Sequence, residues 1–227
     1  MSIETKLFIV PTPIGNLKDI TFRAIEILNN VDYILCEDTR ISKKLLFHYK
    51  ISKPLKLYHT HNEHKLVNKY ILDMKMGKKI CLISDAGTPS ISDPGYLLVN
   101  EANKMNLKIE CLPGATALIP ALVKSGLPSE KFVFEGFLPN KKGRIKRLNF
   151  LSKETRTMVF YESPVRILKT IEDLKTFFGK ERQVSISREI SKIHEETISG
   201  TLSDVYNILL KQNIKGEIVI VLNGHKK

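Results

Sequence analysis

The sequence has no hydrophobic run that approaches the length needed to cross a bilayer. Its N-terminal stretch, MSIETKLFIVPTP, also lacks the basic start and the long apolar segment of a secretory signal. Both absences argue against a membrane or secreted protein. We therefore expect a cytoplasmic protein without a membrane partner.

Cysteine is scarce, with 3 residues in 227. An odd number cannot all pair within one chain, and no CxxC pair indicates zinc. Cys36, Cys81 and Cys111 each lie in or beside an apolar run of strand length. Buried, reduced thiols are the expected state.

Several nucleotide and metal motifs are missing. There is no GxGxxG and no GxxxxGK[ST], which disfavours a standard dinucleotide fold and a P-loop NTPase. The HEET at His194 lacks the second histidine of HExxH. His59, His61 and His64 could bind a metal, but no cysteine or carboxylate set completes the ligands. We expect no metal and a polar loop here, with Asn62 capping the next helix.

The chain is strongly basic, with a formal net charge of +12, and 42% of its residues are hydrophobic. This composition is that of a globular protein and excludes wholesale disorder. The charge favours a polyanionic partner such as nucleic acid. Solvated lysines from a compositional bias would give the same total, so the distribution of the charge has to decide.

Strand-like and helix-like patterns alternate over residues 1–126, which predicts an α/β domain with a mainly parallel sheet. The predicted strands are KLFIV, DYILC, KKICLI and LKIECL. Three strand ends carry Gly/Pro-rich turns, at 11–16, 84–95 and 113–116. In a parallel sheet these turns lie along one edge, so we expect them to converge. Pro120 should kink or shorten the last helix.

Residues 127–227 predict a second α/β domain with a mixed sheet. FVFEGF, TMVFYES and GEIVIVLNG read as strands, and QVSISREI with HEETISG as an antiparallel pair. The length of 227 residues fits two such domains.

The loop SDAGTPSISDPG, residues 84–95, is the most informative stretch of the first domain. It connects an apolar strand to a helix and is long for such a connection, and long loops are often functional. Its amides and hydroxyls could face a ligand at the carboxyl edge of the sheet. A long turn shaped only by its Asp and Pro residues is the alternative.

A basic cluster follows the first strand of the second domain, and its members are Lys141, Lys142, Arg144, Lys146 and Arg147. With Gly143 among them, they should lie in an exposed and mobile loop. Five cations in so short a stretch favour contact with RNA phosphates. The alternative is a solvated loop without a partner.

Seven ordered motifs resemble the tetrapyrrole methylase superfamily, and within it the branch that methylates ribosomal RNA. They are IVPTPIGNLKDIT, CEDTR, LISDAGTPSISDPGY, LPGATA, FEGFLP, FYESPVRI and REISKIHEE, and they cover 6–222. The resemblance implies a class III methyltransferase with two αβα domains, S-adenosylmethionine bound in the cleft between them, and a homodimer. The implied reaction is 2′-O-methylation of a cytidine of 16S rRNA at the decoding centre of the small ribosomal subunit. Many members carry a further C-terminal helical segment that this sequence lacks, so RNA contact is expected at the basic cluster.

The resemblance also implies a set of cofactor-binding residues. By position they are Ile14, Gly15, Asp85, Gly87, Thr88, Ile91, Thr116, Ala117, Tyr161 and Ser187. Thr88 stands where corrinoid-methylating relatives have the aspartate of a Gly-Asp-Pro triplet. The remaining alternatives are a corrinoid or tetrapyrrole methylase of the same fold and a non-catalytic RNA-binding assembly factor.

A weakly acidic ribose hydroxyl could need a proton acceptor, and the candidates lie at strand ends. We favour Glu37 or Asp38 as the catalytic base. Glu162, Lys192 and Glu195 are further candidates. Simple ion pairs, of Glu37 or Asp38 with Arg40 and of Glu162 with Arg166, are the alternative role of these carboxylates.

Overall fold

The computed structural model describes residues 4–225, and they form two compact units. The first unit extends to Thr116 and the second begins at Ala117. The boundary predicted from the sequence, after residue 126, lies ten residues further along the chain.

The first unit alternates strands and helices in the order predicted. Its strands are β1 (Leu7–Ile9), β2 (Tyr33–Cys36), β3 (Leu55–Leu57), β4 (Ile80–Leu82) and β5 (Ile109–Cys111). Its helices are α1 (Phe22–Asn30), α2 (Thr39–His48), α3 (Glu63–Lys75) and α4 (Tyr96–Lys104), with a 3-10 turn over Leu17–Asp19. Strand β3 was only a brief apolar run in the sequence.

All five strands are parallel and lie in the order β3-β2-β4-β1-β5. Strand β1 is an interior strand that lies between β4 and β5, with Leu7 opposite Ile80 on one side and Ile109 on the other. Helices α3 and α4 pack on one face of the sheet, and α1 and α2 pack on the other. Because both faces are covered, the central strands are apolar throughout, as the sequence runs indicated.

The residues that precede α1 and α3 differ in whether they cap the helix N-terminus. The Thr21 hydroxyl accepts from Ala24 N, so Thr21 caps α1. Asn62 precedes α3 but makes no capping bond. Its side chain accepts from His59 N at 2.8 Å, so it orders the histidine loop instead.

Over the described residues 117–225, the second unit has five strands and four helices. Its strands are β6 (Phe132–Phe137), β7 (Thr157–Glu162), β8 (Gln183–Arg188), β9 (Glu196–Thr201) and β10 (Ile218–Leu222). Its helices are α5 (Leu118–Lys124), α6 (Arg144–Leu151), α7 (Ile167–Phe178) and α8 (Leu202–Leu209).

Its sheet is mixed, in the order β6-β7-β10-β8-β9, with β6 and β7 parallel and the other pairs antiparallel. Helices α6, α7 and α8 cover one face, and α5 packs on the other against β7 and β10. Because of this packing α5 belongs to the second unit, so the observed boundary precedes α5, whereas the predicted boundary followed it. Pro120 lies in the first turn of α5, where no amide needs a helical partner, so the helix begins at Leu118.

The predicted fold class, two α/β domains with a parallel sheet and then a mixed sheet, is confirmed. One detail was wrong, because Cys111 is exposed whereas Cys36 and Cys81 are buried. Within residues 4–225, every helix falls short of the length and apolar character that a membrane span requires.

Candidate functional site

The loops that follow β1 and β4 are bonded to each other at the carboxyl edge of the first sheet. Thr12 and Gly87 exchange two backbone hydrogen bonds, each 2.9 Å long. The Thr12 hydroxyl donates to Ser84 O at 3.0 Å, and the Ser84 hydroxyl donates to Gly87 O at 3.1 Å. Thr12 and Ser84 are buried, so water does not compete for these bonds.

The loop that follows β5 joins the same cluster. The Thr88 hydroxyl donates to Ala115 O at 3.0 Å. A Cβ added to Gly87 would lie 3.6 Å from Ile14 Cγ2 and 3.9 Å from Ala115 O. The three Gly/Pro-rich turns therefore meet around Gly87, as expected for strand ends of a parallel sheet.

The loop between β4 and α4 follows a tight and strained path. Ser90 and Ser92 have φ values of 72° and 65°, and Gly95 has 140°. A Cβ at Gly95 would lie 2.4 Å from Ser90 Oγ, so only glycine fits there. Ser90 Oγ is buried and makes no hydrogen bond to any described residue. Backbone strain of this kind is common at ligand sites.

A carboxylate connects this loop to the end of β2. Asp38 N donates to Asp85 Oδ1 at 3.2 Å. Burial raises the pKa of Asp85 above its ordinary value, and the Asp38 charge adds to the rise. Asp85 therefore lies at the carboxyl edge with an acceptor oxygen beside the Gly87 turn.

The adjacent carboxylates Glu37 and Asp38 have different environments. Asp38 caps α2 through Arg40 N at 2.7 Å and forms an ion pair with the Arg40 guanidinium. The Arg40 side chain lowers the pKa of Asp38 to about 2. Glu37 is half-buried and has no hydrogen bond or ion pair with the described residues. Burial raises its pKa, with Asp85 as the second cause.

The other candidate bases are already engaged in the second unit. Their ion pairs are Glu162 with Arg166, Lys192 with Glu189 and Glu217, and Glu195 with Lys124. Glu162 also accepts from the Thr170 hydroxyl at 2.7 Å and is buried. The alternative role of ion pairing, anticipated for Glu162 and Asp38, is present in the structure.

Tyr161 and Ser187 lie on the second sheet, on either side of β10. Both are opposite Val219, so their side chains share the sheet face on which α5 packs. Ser187 is buried, with its hydroxyl 3.0 Å from that of Thr197. Ala117 is the N-cap residue of α5. The predicted cofactor residues thus comprise a set at the edge of the first sheet and a set in the second unit.

The prediction that the whole basic cluster is an exposed loop is wrong for Arg144. This residue is the first of α6 and only 6% exposed. Its guanidinium donates to Asp173 Oδ2 at 2.7 Å, to Thr170 Oγ1 at 2.9 Å and to Pro139 O at 3.1 Å. It therefore connects α6 to α7 and cannot contact RNA in this arrangement.

Arg147 is engaged as well, since it donates to both carboxylate oxygens of Glu135 at 2.8 Å. Its guanidinium also lies 5.2 Å from the centre of the Phe150 ring. Lys141, Lys142 and Lys146 are exposed and form no ion pair with the described residues. Only these three lysines of the cluster are free to bind phosphates.

Sequence reasoning missed two kinds of residue. Hydrogen bonds of Thr12 and Ser84 hold the turns together, and their one signal in the sequence is a polar residue within two positions of the end of a predicted apolar strand. Phe137, at the end of β6, is an aromatic residue that is 53% exposed. In the histidine loop, the ring centres of His59 and His61 lie 5.8 Å apart. Within residues 4–225, no three His, Cys, Asp or Glu side chains are arranged to hold a metal.

Comparison with known proteins identifies close relatives. A protein named Ribosomal RNA small subunit methyltransferase I from Hydrogenobaculum sp. is 49% identical over 220 residues, covering 96% of this chain and 95% of that protein. The protein of the same name from Thermotoga maritima is 46% identical over 219 residues, covering 96% and 98%.

Solved structures share the fold at low sequence identity. A diphthine synthase superposes with a TM-score of 0.74 at 14% identity, covering 98% of this chain and 92% of that one. A uroporphyrin-III C-methyltransferase from Thermus thermophilus, complexed with S-adenosylhomocysteine, gives 0.64 at 16% identity, covering 95% and 96%. The family profile described as Tetrapyrrole (Corrin/Porphyrin) Methylases matches residues 6–206. With this match and relatives of nearly half-identical sequence, the chain belongs to the tetrapyrrole methylase family, in the branch of the ribosomal RNA small subunit methyltransferases I.

Proposed function

We propose that this protein transfers a methyl group from S-adenosylmethionine to the ribose 2′-hydroxyl of a cytidine in 16S rRNA, at the decoding centre of the small ribosomal subunit. The observation that carries the proposal is the meeting of three turns around Gly87 at the carboxyl edge of a parallel sheet. Ligands of open α/β sheets bind at this edge. The cytoplasm, where such a substrate is found, and a homodimer belong to the same proposal.

The substrate class rests on the relatives. Those at 46–49% identity are named as ribosomal RNA methyltransferases. The tetrapyrrole methylase structure is only 16% identical and supports the fold alone. Free lysines next to β6 suit a polyanionic substrate, since each can neutralise one phosphate. A non-catalytic RNA-binding factor would have no use for a strained loop at a ligand edge.

The residues around Gly87 fit an S-adenosylmethionine molecule. A Cβ at Gly87 would lie at ordinary van der Waals distance from Ile14 and Ala115, and without it the backbone of Gly87 is open to close approach by the cofactor. Asp85 offers a carboxylate to hydroxyl or amino groups, and Ser90 has a buried hydroxyl without a partner among the described residues. Tyr161 and Ser187 are proposed contacts from the second unit. When bound there, the cofactor would supply an activated methyl group with a neutral thioether as its leaving group.

The protein's part of the chemistry is alignment and proton acceptance. Positioning the ribose oxygen in line with the methyl group supplies most of the expected acceleration. We assign proton acceptance to Glu37, because it alone among the candidate bases has no partner in the described chain. Its raised pKa brings it closer to the operating pH, which suits a general base. Asp38 holds the start of α2 instead.

The cofactor site is tested by calorimetric titration with S-adenosylmethionine. Gly87→Ala fills the space beside Ile14 and strains a φ of 84°, so we expect at least a tenfold loss of affinity. The matched control is Gly77→Ala, where φ is 98° and a Cβ meets nothing within 4 Å. Equal affinities of the two variants for S-adenosylmethionine would show that the Gly87 turn is not part of the cofactor site.

The reaction is tested with small ribosomal subunits from a strain that lacks the modification. Wild-type protein and labelled S-adenosylmethionine should place one 2′-O-methyl group on a cytidine, mapped by nuclease digestion. Transfer to a tetrapyrrole instead of RNA would support the rival methylase. Cofactor binding without any transfer to RNA would refute the proposal.

The proton acceptor is tested by substitution and by pH. Glu37→Gln should lower the methylation rate by about 10²- to 10⁴-fold without loss of cofactor affinity. Asp38→Asn should keep most of the activity, since its amide oxygen can still cap α2. The wild-type rate should rise as pH increases through the raised pKa of Glu37, since only the carboxylate accepts a proton. A rate unchanged in Glu37→Gln would exclude it as the base.

A further inference from the structure

Phe137 is an exposed aromatic residue beside a proposed cofactor contact. It ends β6, an edge strand, and 53% of it is exposed. Its ring lies 5.8 Å from that of Tyr161, which also contacts Phe134 at 5.0 Å. Tyr161 and Phe137 are aligned across the two parallel strands. The neighbouring rings thus hold Phe137 at a fixed place while part of it stays open to solvent.

The chain after Phe137 leads directly to the free lysines. Lys141 is four residues further along, so its Cα lies at most about 14 Å from that of Phe137. Lys142 follows, and both lysines are exposed without an ion pair in the described part of the chain. An accessible aromatic ring and unpaired cations therefore occupy one continuous segment.

We infer that Phe137 is a stacking platform for an unpaired base of the RNA substrate, with Lys141 and Lys142 binding adjacent phosphates. The inference rests on the proposed function and names a residue that selects the substrate within it. Aromatic faces combined with cations are the means by which proteins hold single strands, because every base has a stacking face. In a duplex these faces are covered by neighbouring base pairs, so the platform selects a splayed or single-stranded base.

The position of the ring relates it to the reaction. Tyr161 is among the residues proposed to contact the cofactor, and its ring touches Phe137. A base on Phe137 would thus lie next to Tyr161, a residue of the proposed cofactor site. The platform holds the target cytidine or its immediate neighbour, and stacking contributes to orienting the ribose.

The test measures RNA affinity of Phe137→Ala with a 16S rRNA fragment that carries a fluorescent cytidine analogue at the methylated position. Loss of one stacked base should weaken binding about 5- to 150-fold. Phe137→Tyr should restore it, because the ring is retained. The control is Phe47→Ala, which also removes an exposed ring but in the first unit, where Phe47 is 86% exposed. This variant should bind RNA with wild-type affinity.

Salt dependence separates stacking from phosphate binding. Phe137→Ala should keep the wild-type slope of log affinity against log salt, because no phosphate contact is lost. Lys141→Ala with Lys142→Ala should reduce that slope by about 1.4, two single-strand contacts at 0.7 each. Fluorescence of the analogue should be quenched by wild-type protein and by Phe137→Tyr, and not by Phe137→Ala.

Three results would overturn the inference. Unchanged RNA affinity of Phe137→Ala would show that no base stacks there. A loss of S-adenosylmethionine affinity would assign the ring to the cofactor, and a loss of self-association in sedimentation would assign it to a second copy. Failure of the proposed function would be seen in the wild-type protein, which would then bind S-adenosylmethionine but neither bind nor methylate the RNA. Failure of the inference is seen only in the comparison of the Phe137 variants with wild type, so the two failures are distinguishable.

Discussion

Arg144→Ala should destabilise the protein without removing an RNA contact. The guanidinium makes three hydrogen bonds, to Asp173, Thr170 and Pro139, and its side chain is 7% exposed. A bond to a charged group contributes about 1.5–3 kcal/mol, and groups left without a partner add to the loss. Asp173 is partly exposed and can be hydrated again, which limits the total. We expect a decrease of about 3 kcal/mol in the free energy of unfolding.

The assay is thermal unfolding followed by RNA titration. For a protein of this size, 3 kcal/mol corresponds to a fall of about 6–12 °C in Tm. The matched variant Lys142→Ala removes an exposed cation of the same cluster and should change the free energy of unfolding by less than about 0.5 kcal/mol. Well below its own Tm, Arg144→Ala should bind RNA with the wild-type salt slope, whereas Lys142→Ala should lower the slope by about 0.7.

The opposite pair of results would refute this reasoning. If Arg144→Ala were as stable as wild type and reduced the salt slope, the guanidinium would have to leave Asp173 and bind phosphate. A double variant, Lys65→Ala with Lys69→Ala, makes the same charge change as Lys141→Ala with Lys142→Ala but on α3. Equal losses of RNA affinity in these two doubles would show that total charge, and not the cluster, attracts RNA.

Three further predictions concern the first unit. Gly95→Ala should lower both stability and cofactor affinity, since its Cβ would lie 2.4 Å from Ser90 Oγ; calorimetry and thermal unfolding measure both. The Tyr33 hydroxyl lowers the pKa of Asp73, so this carboxylate stabilises the fold above its unfolded pKa, and the contribution disappears as pH falls through the folded value. Asp73→Asn should therefore flatten the dependence of Tm on pH in the acidic range, and an unchanged dependence would exclude this linkage. Thr21→Ala removes the N-cap of α1 and should lower the free energy of unfolding by about 0.5–2 kcal/mol in urea titrations, with catalysis unaffected.

The layout of both sheets followed from the sequence because local patterns determine it. Apolar runs of strand length, separated by helical periodicity, require crossovers and hence a parallel sheet in the first unit. The turns at 11–16, 84–95 and 113–116 could be placed on one edge for the same reason. Their meeting needed no knowledge of side chains, since parallel strands have their carboxyl ends together.

Contacts between distant residues could not be predicted from these patterns. Whether Arg144 is free depends on Asp173, which is 29 residues away and is a surface residue of α7 by its own periodicity. The position of α5 was missed for a similar reason, because its apolar side packs on β7 and β10 further along the chain. Local patterns predict elements, whereas the partner of a charged or apolar side chain is decided by packing.

The roles proposed for the charged residues follow from which of them have partners. Glu37 and Asp38 are adjacent in the sequence, but Arg40 lowers the pKa of Asp38 while burial raises that of Glu37. A carboxylate that is already paired gains little from taking a substrate proton, because protonation would break its ion pair. The same argument separates Lys142, whose charge is available to a phosphate, from Arg144, whose charge is neutralised by Asp173. Chemistry should therefore be sought at those candidate residues that the fold leaves without partners; of these residues, Glu37 lies at the carboxyl edge of the first sheet and Lys142 follows the end of β6.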